Sequence, residues 1–92
     1  MLEEVSEMVV KIFYKDDCPL CPEAKRLREE LDRMQLPCEA YDVETVDGLA
    51  EASFYGVLSV PSVVVEEGEQ VIFEWRGRVP RKEHILELRQ RQ

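Results

Sequence analysis

Cys18 and Cys21 enclose Pro19 and Leu20 and are the residues of this chain best suited to chemistry. Cysteines at i and i+3 lie close on one side of a helical turn, near the separation a disulfide needs. Such a pair can pass between dithiol and disulfide with little backbone motion, although the same spacing also serves zinc sites. The attacking species in disulfide exchange is the thiolate, so the surroundings of Cys18 matter. With Cys18 as the N-cap of a following helix, Pro19 falls at N1, where its missing N–H costs nothing. The sulfur then faces the positive end of the helix dipole, which favours a thiolate. Cys21, one turn inside, is better shielded and suits a resolving role. Pro22 deletes the first ordinary helical hydrogen bond, back to the Cys18 carbonyl, and tightens the start of the helix. Asp16 and Asp17 disfavour a second negative charge, while Lys15, Lys25 and Arg26 push the other way. The expected Cys18 pKa is moderately below the free value of about 8.5, which suits a reductant or near-neutral exchanger. An alkylation-derived value well below about 5, the range of strong oxidants, overturns that expectation.

The rest of the composition sets bounds. The chain has 92 residues, 45% hydrophobic and 35% charged, with four Gly and five Pro. It is expected to be one domain over residues 1–92, with 1–7 set apart as a candidate flexible N-terminal segment. A net charge of -8 repels phosphate backbones and anionic lipid, so neither nucleic acid nor membrane is an expected partner. The longest apolar runs, such as Val63 to Val65, are far too short to span a bilayer. Met1 to Glu7 has neither the basic start nor the apolar stretch of a secretory signal. The expected location is therefore cytoplasmic and the expected state a monomer. In that reducing compartment three cysteines do not suggest a structural disulfide framework.

Positioning the cysteines requires elements, and their order is legible. Met8 to Tyr14 is apolar, β-branched and aromatic, as a buried strand should be. Pro22 to Leu36 places Ala24, Leu27, Leu31 and Met34 at helical steps with charges elsewhere. Cys38 to Val43 predicts a second strand, and Asp47 to Tyr55 a short helix stopped by Gly56. Ser62 to Val65 and Val71 to Trp75 predict a hairpin around Glu66-Glu67-Gly68-Glu69. Arg81 to Arg89 predicts the closing helix, with Ile85, Leu86 and Leu88 as its apolar side. The string β-α-β-α-β-β-α implies an α/β protein with a four-stranded mixed sheet. Its first two strands are parallel through a right-handed crossover, and helices cover both faces.

Cys18-Pro19-Leu20-Cys21 after an apolar strand, with Ser59-Val60-Pro61-Ser62 entering a later strand, resembles the thioredoxin–glutaredoxin superfamily. The resemblance runs from Met8 to Leu88. It implies a thioredoxin fold, a cis Pro61 packed against the dithiol, and Val60 offering its backbone N–H and C=O to an extended substrate. Lys15, three residues before Cys18, matches a glutaredoxin lysine that pairs with a glutathione carboxylate. Arg76-Gly77-Arg78-Val79-Pro80 stands where glutaredoxins carry a Gly-Gly and acidic segment, and is more similar to the thioredoxin Val-Gly-Ala stretch. Gly77 then matches the glycine beside the active site. The tryptophan that thioredoxins place before the first cysteine is Asp17 here, and the buried aspartate is Ile12. The chain is thus similar to small glutaredoxin-like thioredoxin-fold proteins. The resemblance implies a thiol–disulfide oxidoreductase with no bound cofactor beyond the redox-active Cys18–Cys21 disulfide. Its substrates would be protein or small-molecule disulfides, with a flavin reductase or glutathione as electron donor.

Plainer readings accompany these. Arg76 and Arg78 could offset Asp16 and Asp17 or bind a substrate carboxylate, or be ordinary solvated charges. Cys38 fits a small buried hydrophobe. His84, the single histidine, has no second histidine to form a site with. Tyr14, Phe54, Phe73 and Trp75 fit core aromatics, and Glu66, Glu67 and Glu69 a solvated loop. Two other functional classes stay open: a metal- or cluster-binding module using Cys18, Cys21 and Cys38, and a redox-inert partner-binding domain. A closed zinc site wants four ligands, which this chain could supply only as a dimer.

Overall fold

Alternation in Met8–Tyr14 gives that strand two different faces, with Met8, Val10 and Ile12 on one and Lys11 and Phe13 on the other. Each face needs its own cover. In the computed structural model, which describes residues 7–90, the elements are β1 (Met8–Tyr14), α1 (Cys21–Arg33), β2 (Cys38–Asp42), α2 (Val46–Tyr55), β3 (Ser62–Glu67), β4 (Gln70–Arg76) and α3 (Lys82–Gln90). Glu7 apart, the candidate flexible segment 1–7 lies outside the described residues. The strands form one sheet in the order β2-β1-β3-β4, with β2 parallel to β1, and β3 antiparallel to β1 and β4. That is the mixed four-stranded sheet the sequence implies. No helix among the described residues is long and apolar enough to cross a membrane.

Ala24, Leu27 and Leu31 of α1 and Ile85 of α3 pack with Val10, Ile12, Val63, Val65 and Trp75 on one face. On the other, Ala52 of α2 meets Phe13, Val57 and Val64. Burying each large side chain contributes about 1.5–3 kcal/mol, so these two clusters fix the sheet between its helices. The chain closes on α2 with little clearance. The Thr45 side chain accepts from the Gly48 N–H at 3.0 Å, and a Cβ at Gly48 would collide with the Asp42 carbonyl. Gly56 ends the helix in the left-handed region at φ 68°.

Boundaries move from the sequence expectations where local hydrogen bonding decides. Helix α1 stops at Arg33, not Leu36, because Gln35 turns left-handed at φ 59° and the Leu36 N–H reaches back to the Leu31 carbonyl at 3.0 Å. The expected four-residue hairpin loop shrinks to Gly68-Glu69, since Glu66 and Glu67 are paired with Val9 and Met8. Of the four expected core aromatics, Tyr14 is half-buried against the α1 cluster and two are exposed. Phe54 is 79% exposed on the outer side of α2, and Phe73 is 48% exposed on the edge strand β4. Trp75 is buried, and it stacks on the exposed ring of His84 at 6.5 Å.

Glu66 does not solvate a loop; it joins a polar group on the α2 side of the sheet. Lys11, 13% exposed, donates to the Tyr55 hydroxyl at 2.8 Å and to Glu51 at 3.3 Å. Tyr55 in turn donates to Glu66 at 2.6 Å, and Tyr41 to Glu39 at 2.6 Å. Burial opposes the Lys11 charge, but these partners and the Glu66 carboxylate outweigh it and raise its pKa. Burial and the Glu39 hydrogen bond push Tyr41 up to about 12, and burial with the Glu66 bond raises Tyr55. All three groups hold their protons more tightly folded than unfolded. Their stabilisation is therefore complete below the ordinary tyrosine and lysine values of about 10 and is lost as pH rises above them. Melting temperature should be flat from about pH 7 to 8, begin to fall near pH 9 as the Cys38 thiol, also raised by burial, ionises in the unfolded chain, and fall more steeply above about pH 10. A Lys11→Met variant should show a shallower fall in the same scan.

Candidate active site

Both cysteines sit where β1 hands over to α1, and they are joined as a disulfide with their Cα atoms 5.2 Å apart. Cys21 is the more enclosed, 1% exposed against 8% for Cys18. The helix begins later than its sequence suggests: Leu20 is the N-cap, Cys21 is N1 and Pro22 is N2. Cys18 is therefore not the cap and Pro19 is not at N1. Pro22 explains the shift, because without an N–H it cannot bond the Cys18 carbonyl. The Cys21 N–H takes that acceptor instead, at 3.2 Å, closing a turn ahead of the helix. At N2 the missing Pro22 N–H is one of the groups a helix leaves unpaired in any case. It costs no helical hydrogen bond, contrary to the sequence expectation.

The second wall of the site comes from the opposite direction. β3 runs antiparallel to β1, so its start lies beside the end of β1. The Val60–Pro61 peptide just before β3 is cis, as the family resemblance implied. The Val60 carbonyl oxygen is 3.8 Å from Cys18 Sγ, so a reduced Cys18 thiol is placed to donate to it. Pro61 is buried beside it.

Gly77 is tied to this loop by a residue that the sequence did not single out. The Gly77 N–H donates to Ser62 Oγ at 3.1 Å, and the Ser62 hydroxyl donates to the Ser59 carbonyl at 2.7 Å. Ser62 is the one buried polar residue of the described core, at 1% exposure. A polar residue directly after a proline, at the start of a run of valines, was the available signal. Arg76 points its chemistry elsewhere: it forms two contacts of 2.7 Å with Glu74 and donates to the Gly56 carbonyl at 2.8 Å. Arg78 is exposed and Lys15 half-buried beside the site. Asp16 and Lys25 form an exposed pair at 3.9 Å, so one acid of the Asp16-Asp17 pair has a counter-charge close by.

Cys38 belongs to the far side of the architecture, at the start of β2, and is half-buried against the α1 cluster. Burial, with Asp32 adding to it, pushes its thiol up to about 11. Only on the order of 0.1% is thiolate at pH 8, so in reduced protein Cys38 should resist iodoacetamide. Mass mapping of alkylated peptides across pH 7–10 checks this; full Cys38 labelling below about pH 9 contradicts it. Among the described residues, no group of three or more His, Cys, Asp or Glu side chains is arranged to hold a metal ion.

A family model described as a thioredoxin domain matches residues 8–90. The chain belongs to the thioredoxin domain family. The match spans both cysteines, the cis proline and Gly77. A thioredoxin from Methanocaldococcus jannaschii is 29% identical over 84 residues, covering 90% of this chain and 93% of that protein. The solved structure of a thioredoxin variant from Halobacterium salinarum superposes with a TM-score of 0.74 at 26% identity, covering 89% of this chain and 71% of the other. Thioredoxin-2 of a malaria parasite superposes with a TM-score of 0.77 over 98% of this chain and 88% of its own. At 14% identity that likeness shows the fold alone. This thioredoxin domain thus carries a cysteine pair at disulfide distance at the end of its first strand.

Proposed function

We propose that the protein is a thiol–disulfide oxidoreductase acting through Cys18 as nucleophile and Cys21 as resolving thiol. The observation carrying this reading is the placement of the less buried sulfur, Cys18, against the Val60 carbonyl of the cis-proline loop. The Cys18 thiolate attacks one sulfur of a substrate disulfide, forming a mixed disulfide and releasing the first substrate thiol. Cys21, deprotonated, then attacks the Cys18 sulfur, closing Cys18–Cys21 and releasing the second thiol. Two electrons and two protons pass to the substrate. An external dithiol or reductase resets the pair. A carbonyl oxygen accepts from a thiol and repels a thiolate, so Val60 acts with Asp16 and Asp17 in favour of a reductant over a strong oxidant. Pro61 and Gly77 border the substrate path. Val60 supplies backbone hydrogen bonds to an extended segment, and Arg78 and Lys15 supply positive charge at its margins. Arg76 contributes less, because Glu74 and Gly56 already occupy its guanidinium.

The substrates are protein or small-molecule disulfides, and no cofactor beyond the dithiol is required. Similarity to thioredoxins supports a flavin-dependent reductase as electron donor. Lys15 supports glutathione as the second reading. Coupled assays separate the donors. Turnover with NADPH and thioredoxin reductase but not with glutathione and its reductase supports the first, and the reverse supports the second. A dithiol reduced by neither, and exchanging with no disulfide, overturns the oxidoreductase reading.

A further inference from the structure

Helix α2 is chemically unlike its neighbours. It carries two charged residues in ten, Asp47 and Glu51, whereas α1 carries eight in thirteen. At about 100° per residue, Gly48, Ala52 and Tyr55 share the side turned to the sheet. Val46, Leu49, Ala50, Ser53 and Phe54 fill the opposite arc, and all five are exposed. That outer arc contains no charge, in a chain that is 35% charged. Val46 is 85% and Leu49 58% exposed. Asp47 and Glu51 lie between two apolar sides; an apolar side of a helix is normally turned to a core, and here only one of the two is covered. After the Gly56 cap and the buried Val57, Leu58 stands 95% exposed, two residues before the Val60 carbonyl that touches Cys18. The apolar surface of α2 therefore leads along the chain into the redox site.

We infer that the outer face of α2, with Leu58, is a docking surface for a protein redox partner that presents an apolar patch ringed by basic residues. This rests on the oxidoreductase reading above and names the partner class for the same site. Two magnitudes choose the occupant. An aromatic side chain presents about 150–250 Å² and an aliphatic one somewhat less, so at 58–95% exposure Val46, Leu49, Phe54 and Leu58 together offer roughly 500 Å². That matches the patches of about 300–600 Å² that are often functional on monomers. It falls well short of the roughly 800 Å² per partner that a stable interface needs. A short-lived encounter fits a protein that must release each partner after exchange; a permanent second copy does not. Charge fixes the rest. Exposed Glu44 and Asp47 lie at the start of the helix on a chain of net charge -8, so basic residues around the partner's patch are attracted and acidic ones repelled.

The test uses the reduced full chain and synthetic peptides of about 20 residues, long enough to span about 65 Å extended. Each carries one cysteine blocked as a disulfide with 5-thio-2-nitrobenzoate. One peptide is rich in Leu, Phe and Lys, one in Leu, Phe and Glu, and one in Ser and Gly. Attack of Cys18 on the peptide sulfur breaks that disulfide and expels the coloured thiolate. The Lys-containing apolar peptide should react about tenfold or more faster than the other two. A Phe54→Ser/Leu58→Ser variant should lose that advantage, as burial of two large side chains predicts. It should keep the wild-type rate with 5,5′-dithiobis(2-nitrobenzoate). A cysteine-to-serine version of the peptide, unable to react, should bind the wild type by fluorescence anisotropy and the variant at least about tenfold more weakly. Equal rates for the three peptides, or an unaffected variant, overturn the docking surface. So does sedimentation of the wild type as a dimer that the double substitution dissociates, which makes a second copy the occupant. Binding of the unreactive peptide with no exchange by Cys18 overturns the oxidoreductase reading and leaves the surface standing.

Discussion

Cys21→Ser should convert the protein from a catalyst into a trap. The Cys18 thiolate of the variant still attacks a disulfide, but the thiol that would displace the partner is gone, so the mixed disulfide accumulates. Intact mass after mixing with a disulfide peptide should show one covalent adduct per chain, released by dithiothreitol. Cys18→Ser should form no adduct and lose turnover by about a thousandfold or more, as removal of a nucleophile does elsewhere. The asymmetry follows from burial: Cys21 is nearly sealed, so an incoming disulfide meets Cys18 first. If both variants trap equally, the two sulfurs are equivalent and the assigned order of attack is wrong.

Phe13→Ala should be the most damaging change outside the dithiol. Phe13 is fully buried at the centre of the smaller cluster, stacked on Tyr41 at 5.5 Å and tilted against Tyr55 at 6.2 Å. Truncating a buried Phe costs about 3–5 kcal/mol, against a total of about 5–15 for domains in general. At about 4–8 °C per kcal/mol for a chain of this size, melting temperature should fall by well over 10 °C. Thermal unfolding followed by circular dichroism measures it. Phe54→Ala is the control: the same deletion on an exposed ring should stay within about 0.5 kcal/mol. Comparable losses from both would mean that α2 is not anchored as described.

The contrast between these two phenylalanines also shows where sequence reading reaches its limit. The strand Met8–Tyr14 and the three-and-four spacing of Ala24, Leu27 and Leu31 are local patterns, and they gave the sheet and helices their order. Phe54 lies in a helix apolar on both sides, so periodicity could not say which side faces the sheet. Lys11, set in an apolar strand, gave no hint of Glu66, which becomes its neighbour only when β1 pairs with β3, or of Tyr55, which arrives only when α2 packs on the sheet. In the site, Cys18, Cys21 and a cis Pro61 were legible from the motif and the resemblance. Ser62 was not, because its role depends on Gly77 arriving from β4. The helix start was misjudged by treating Pro19 as the first residue, when the missing donor of Pro22 governs the hydrogen bonding.

Because β3 runs against β1 and β4 runs against β3, the ends of β1 and β4 and the start of β3 gather on one rim of the sheet. The Gly68-Glu69 turn occupies the other. Six or seven strand residues at about 3.3 Å each put roughly 20 Å between the two rims. A tether placed in that turn, for instance one fixing the molecule to an electrode, would leave the sulfur pair facing the solution. It would also leave the outer strands β2 and β4, with Glu39, Glu74 and Arg76 along them, free to keep neighbouring molecules from adding edge to edge.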